Sequence, residues 1–272
     1  MRKIALTEEE NRFFTDYLTN HFVSQKKMAA EEMGMADFWE VVLLRAEEAG
    51  AAAALNEYLV PDRPVNFADA AGISMELYKA CAGQIPVITL SDAGDFETLV
   101  TNLVYKGVRP ANISSIGSSF VFGKKVRLII LSKKPYSNVS ARTMGLSEEE
   151  WKEKSMIIRR EHECTHFYTK VCYGISQNHL HDELIADFCG IYEAFGEYRA
   201  EYFLYFMGVR GREGSRLSFY IKDASPAVFA ALQQVAEKAA LALEAWSKTE
   251  SFARMSKEER IDWMCAMQLD QV

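Results

Sequence analysis

The chain has 272 residues, 49% hydrophobic and 25% charged, which is the balance of a globular protein long enough to bury a large core. Its net charge of −7 argues against a non-specific nucleic-acid binder and against docking on an anionic membrane. No run of about 18 apolar residues reads as a membrane span, and the start, MRKIALTEEENRFF, turns acidic too early for a secretory signal.

The first elements read as helical. Thr7 and Glu10 form a capping box that opens a long amphipathic helix. Gly34 interrupts the pattern, Asp37–Ala49 resumes it, and Ala51–Leu59 is rich in alanine. Pro61 and Pro64 close this stretch, so residues 1–64 are expected to form a helical N-terminal subdomain. Phe13, Phe14, Phe38 and Trp39 are expected to pack within it, and His21 reads as structural. Ala68–Gly83 reads as another helix, and Ile85–Leu90 as a short strand. Asp95–Gly107 reads as a helix that ends at its glycine. Residues 110–123 form a loop with a short strand, Ser119–Phe122. Lys125–Ser132 is the strongest strand in the chain. Its apolar residues barely alternate, as expected when both faces are buried.

Ser147 and Glu150 make a second capping box, and a helix is expected from there to about Tyr173. It carries His162, Glu163 and His166 in the order H-E-x-x-H. Positions i and i+4 share a helix face, so both imidazoles can close on one metal ion. Glu163 can then act as general base toward a coordinated water, whose pKa the ion lowers to roughly 7. Gly174 stops this helix. Asn178 or His179 opens the next, which runs to Phe195 and ends at Gly196. Glu183 on that helix is the expected third ligand. Asp187, one turn on, is placed to accept a hydrogen bond from a ligand imidazole and fix its tautomer. Cys164, between the histidines, reads as a small core residue, Glu161 as a structural or solvated acid, and His179 and His181 as surface residues.

These residues resemble the core of the gluzincins, zinc metallopeptidases of thermolysin type, which pair H-E-x-x-H on one helix with E-x-x-x-D on the next. The resemblance covers roughly residues 147–198. It implies that His162, His166 and Glu183 hold zinc, that Glu163 is the base, and that Asp187 supports His162. The asparagine usual before the third ligand is Asp182 here. The resemblance also suggests that a peptide could lie along a strand edge near Leu131–Val139. It makes residues 65–272 a zincin-like catalytic domain.

Beyond the third ligand such a hydrolase needs a donor for the developing oxyanion. Arg216 and Tyr220, one helical turn apart, fit that need, with Tyr198, Arg210 and Arg212 as rivals. Ser225-Pro226 starts a long helix to about Trp246, and Ser256 with Glu259 caps a last one, Lys257–Leu269. Cys81, Cys164, Cys172, Cys189 and Cys265 are odd in number and scattered, as in reduced cytoplasmic proteins. The expected fold is α+β, mostly helical with a small sheet. The expected function is zinc-dependent hydrolysis of a peptide or protein substrate, with no nucleic acid or membrane partner. Two alternatives stand beside it: a non-catalytic interaction protein that retains a metalloprotease fold and keeps the metal for stability, and a helical di-iron carboxylate protein. The second would need another E-x-x-H, and the chain has none.

Overall fold

The computed structural model describes residues 4–22, 36–123, 126–175, 179–210 and 216–271. The fold is mostly helical with one small mixed sheet. Its helices are α1 (Glu8–Tyr17), α2 (Ala36–Ala49), α3 (Ala51–Tyr58), α4 (Ala93–Leu103), α5 (Ala141–Met144), α6 (Glu148–Tyr173), α7 (Leu180–Phe195), α8 (Ala200–Phe206), α9 (Leu217–Tyr220), α10 (Pro226–Ser247), α11 (Glu250–Arg254) and α12 (Lys257–Ala266). The strands are β1 (Ile73–Ala80), β2 (Gly83–Leu90), β3 (Ser118–Phe122) and β4 (Arg127–Ser132), in the order β1-β2-β4-β3.

The sheet separates two cores. β1 and β2 form an antiparallel hairpin, β2 and β4 run parallel, and β3 returns antiparallel on β4 as an edge strand. Side chains alternate across a strand. Val87, Ile129 and Leu131 therefore enter the core shared with α6 and α7, while Ile88, Leu90, Leu128 and Ile130 enter the core under α2, α3 and α4. That double burial is the reason for the unbroken apolar run of β4, as its sequence indicates.

The described part of residues 1–64 divides between the two cores. α2 and α3 pack on the sheet through Trp39, Val42, Ala54 and Leu55. α1 joins the C-terminal helices instead, and Phe13 and Phe14 pack there with it. Asn20 Nδ2 donates to the carbonyls of Cys265 (2.9 Å) and Met267 (2.7 Å). The capping box of Thr7 and Glu10 is formed, but α1 stops at Tyr17 rather than running on. Gly34 lies outside the described residues.

A second expectation is overturned. Residues 68–83 hold a short 3₁₀ turn and strand β1, not a helix. Met, Glu, Leu, Lys and Ala favour a helix locally, but Ile73–Ala80 pairs residue for residue with β2 around the turn at Cys81 and Ala82. Tertiary pairing outweighs propensity here.

α6 and α7 are the centre of the fold. α6 opens on the Ser147–Glu150 capping box and closes at Gly174, whose φ of 72° suits a residue without Cβ. Contacts run in opposite chain directions: Asp182 meets His166, Asp187 meets His162, and Gly190 meets Ile158. The two helices are therefore antiparallel neighbours. At Gly190 they approach so closely that a Cβ would stand 2.6 Å from the carbonyl oxygen of Ile158. No described helix is long and apolar enough to cross a membrane.

Candidate metal centre and cleft

The antiparallel pair brings the sequence motif together. His162 and His166 project from one face of α6, with their Nε2 atoms 3.0 Å apart. Glu183, in the first turn of α7, places Oε2 3.5 Å from Nε2 of His162 and Oε1 3.5 Å from Nε2 of His166. All three side chains are buried. Tetrahedral ligands bound at about 2.0–2.1 Å stand about 3.3–3.4 Å apart; the two Nε2 atoms are 3.0 Å apart and each has a Glu183 oxygen at 3.5 Å, close to that spacing.

The far side of each imidazole supports the same reading. Nδ1 of His162 lies 2.7 Å from Asp187 Oδ1, and Nδ1 of His166 lies 3.0 Å from Asp182 Oδ2. With each Nδ1 proton turned to its carboxylate, both Nε2 lone pairs face each other and Glu183. Donors that converge so closely need a proton or a cation among them, and two imidazole nitrogens with a carboxylate are a donor set that fits a divalent ion of zinc type. Asp182, in place of the usual asparagine, gives the second histidine a charged partner as well. Burial opposes charge on His166, but Asp182 and then Glu183 outweigh it and hold the imidazole pKa well above its usual value.

Arg216 closes the far side of the cluster. Its Nη2 donates to Glu183 Oε2 at 2.6 Å, and its Nη1 donates to both oxygens of Asp187 at 3.1 Å. Nη1 also donates to the Tyr136 hydroxyl and Nε to the Tyr220 hydroxyl, each at 3.0 Å. Burial would raise the pKa of Glu183, but His166, His162 and Arg216 together hold it well below the carboxylate range. All three nitrogens of Arg216 are committed, which leaves Tyr220 the freer of the two expected oxyanion donors. The Tyr220 hydroxyl accepts from Arg216, and its own proton has no acceptor among the described residues. Burial keeps that phenol protonated.

Two members of the site have no motif to mark them. Tyr136 sits in a short 3₁₀ turn after β4, and its hydroxyl donates to Asp187 Oδ1 at 2.5 Å, 3.0 Å from His162 Nδ1. Ser118 begins edge strand β3 and donates to Glu163 Oε1 at 2.5 Å, which fixes the carboxylate at the cleft wall. A cleft of about 480 Å³ is lined by residues of β3, by Tyr136, Phe219 and Tyr220, and by His162, Glu163, His166 and Glu183. The strand edge at the site is β3. The segment Leu131–Val139 lies near the site as expected, with residues 134–138 lining the cleft, but β4 itself is paired on both sides and offers no edge there.

The remaining candidates fall elsewhere. Tyr198 is fully buried against Phe188, and Arg210 pairs with Glu237 at the surface. Arg212 and Asn178 lie outside the described residues. His181 is not a surface residue, and His179 is half-buried. His181 is buried with Nε2 2.8 Å from the carbonyl of Met264, and His179 caps α7 and stacks on Tyr17. Cys164 is a buried core residue, and Glu161 is a buried structural acid held by Tyr78 and Lys257.

The model of a family of unknown function (DUF7005) matches residues 124–272, just over half of the chain, a span that includes α6, α7 and Arg216. No curated protein and no solved structure matches the chain.

Proposed function

We propose that this chain, which belongs to the DUF7005 family, is a zinc-dependent hydrolase whose substrate is a peptide or protein. The observation that carries the reading is the convergence of His162, His166 and Glu183, each imidazole backed by its own carboxylate, beside an acid that is not part of the trio. Zinc at such a site supplies a Lewis acid and a water acidic enough to lose a proton near neutral pH.

The other roles belong to the chain itself. Glu163, held by Ser118, takes the proton from the attacking water and passes it to the leaving amine. Tyr220 donates its free hydroxyl proton to the oxygen that gains charge. Arg216 and Tyr136 keep Glu183, Asp187 and His162 in register. The exposed edge of β3 offers backbone groups to an extended peptide.

Among the described residues the trio is the one group of three or more side chains able to share an ion, which favours a single zinc over a di-iron centre. Five free thiols support a reducing, cytoplasmic setting.

Glu163→Gln tests the reading. It is expected to leave one zinc per chain and to reduce peptide turnover by about 10²–10⁴-fold. Retained turnover would show that Glu163 is not the base. Absence of zinc from protein loaded with the metal and then dialysed would remove the hydrolase reading altogether.

A further inference from the structure

Arg159 is on α6, one turn before Glu163, and lines the same cleft. It is only 2% exposed. Nη1 donates to the carbonyls of Ser132 (2.6 Å) and Lys134 (3.0 Å), and Nη2 donates to that of Pro135 at 3.3 Å. Nε makes no hydrogen bond among the described residues, and no carboxylate there lies within ion-pair reach of the guanidinium.

The other cations of the cleft are neutralised: Lys134 by Glu97 at 2.8 Å, and Arg216 by Glu183 and Asp187. A buried charge without a partner is expensive. Burial pulls the Arg159 pKa down to about 10, against weaker support from Tyr136 and Glu163, so the group is still cationic at neutral pH.

The open side of this guanidinium is its Nε–Nη2 edge, the pair of donors that grips a carboxylate with two parallel hydrogen bonds. That edge faces Gly117, where a Cβ would stand 2.8 Å from Nη2 and 3.0 Å from Nε. Arg159 and Gly117 both line the cleft, and a side chain at position 117 would cover the edge. One turn of helix advances about 5.4 Å, so a carboxylate held there would lie within about two extended residues of the group acted on by Glu163.

We infer that the substrate carries a carboxylate close to the bond that is cut, held by the Nε–Nη2 edge of Arg159. The inference rests on the hydrolase reading only for the words "the bond that is cut"; the anion site stands on its own. The carboxylate has two chemical sources: an acidic side chain, or the free C-terminus of a short peptide.

The test uses zinc-loaded Glu163→Gln protein and four short fluorescent peptides of one sequence. Glu or Gln stands at the variable position, and the C-terminus is free or amidated. Anisotropy is expected to show binding about tenfold or more tighter for the anionic members. A preference that follows Glu assigns the side chain, and one that follows the free terminus assigns an exopeptidase-like use. Adding Arg159→Gln is expected to bring the peptides to within about twofold of one another. Arg159 also holds the residues after β4, so Gly117→Ala, which covers the same edge and keeps the charge, is the second variant, with the same loss expected. Equal binding of all four peptides overturns the inference, as does a preference that survives both substitutions. Lack of turnover by the unsubstituted protein, with the anion preference intact, sinks the hydrolase reading and leaves the anion site standing.

Discussion

Arg216 Nη2 stands 2.6 Å from Glu183 Oε2, so the carboxylate expected to bind the metal also carries a buried ion pair. The same guanidinium neutralises Asp187, which is fully buried. Removing one partner of a buried pair leaves the other charge without compensation, at a cost of about 3–5 kcal/mol. Arg216→Leu is therefore expected to destabilise the metal-free chain by about that amount. Zinc itself offsets the charge of Glu183, so the deficit should shrink by about 1–2 kcal/mol when the metal is present. Urea denaturation with and without zinc measures both quantities. An equal loss in the two conditions would mean that Arg216 does not act through the metal carboxylate.

Tyr136 and Tyr220 both touch Arg216, but on different sides of it, and their phenylalanine variants are expected to separate two roles. Tyr220→Phe removes a donor with a free proton toward the cleft. Its kcat is expected to fall about 10²–10³-fold, with zinc content and KM little changed. Tyr136→Phe removes the hydrogen bond to Asp187 and the contact with His162. Partners of this kind shape the ligand rather than the reaction, and zinc affinity is expected to fall about 10–100-fold. Competition with a chelating dye, run beside steady-state kinetics, distinguishes the two. If both variants lose zinc equally and turn over equally, the division of roles fails.

The parts of this site legible in the sequence are those with a local period. The capping boxes of Thr7, Ser147 and Ser256 are all formed, because each is a contact between residues three apart. His162 with His166, and Glu183 with Asp187, are legible for the same reason, since each pair is one helical turn. Ser118 and Tyr136 are not. Each reaches the site from an edge strand or a short turn, through hydrogen bonds to residues 45 and 51 positions away. No spacing rule records such a contact. Strand β1 was hidden differently: its residues favour a helix, and only its partner β2 decides otherwise. His179 and His181 are polar enough to suggest a surface. The carbonyls that their Nε2 atoms meet belong to Tyr17 and Met264, far along the chain.

On α6 itself, Glu161 offers a pH test of the packing. It is 2% exposed and takes hydrogen bonds from Tyr78 and Lys257, both at 2.6 Å. Burial raises its pKa, but Lys257, Tyr78 and Arg160 together hold it below its ordinary value. A carboxyl with a depressed folded pKa contributes stability above its unfolded value, and that stability is lost as pH falls through the folded pKa. Lys257→Met removes the main cation and is expected to cost about 2–4 kcal/mol at pH 7, the lower figure reflecting the partial exposure of Lys257 and the Arg160 that stays nearby. Glu161 in the variant takes up a proton more readily, so the gap between the two proteins should narrow below about pH 4.5. Denaturation curves at pH 7 and pH 4 check the sign. A gap that is constant with pH would place the cost in lost packing of the lysine stem.

The last expectation concerns Gly190, where α7 passes closest to α6. A helix normally gains about 0.5–1 kcal/mol when an interior glycine becomes alanine. At this position the new Cβ would meet the Ile158 carbonyl oxygen at 2.6 Å and its Cγ2 at 2.9 Å. Neither neighbour can yield easily, since one is helix backbone and the other belongs to a fully buried side chain. The two helices must then move apart by several tenths of an ångström, and overpacking of this kind costs about 1–3 kcal/mol, more than propensity returns. The separation also carries Asp187 and Glu183 away from the imidazoles. Gly190→Ala is therefore expected to be less stable by about 1–2 kcal/mol, and to bind zinc about tenfold more weakly or worse. Thermal unfolding and chelator competition test the two halves independently. A variant that is more stable and binds zinc as before would show that this close passage does not set the spacing of the metal ligands.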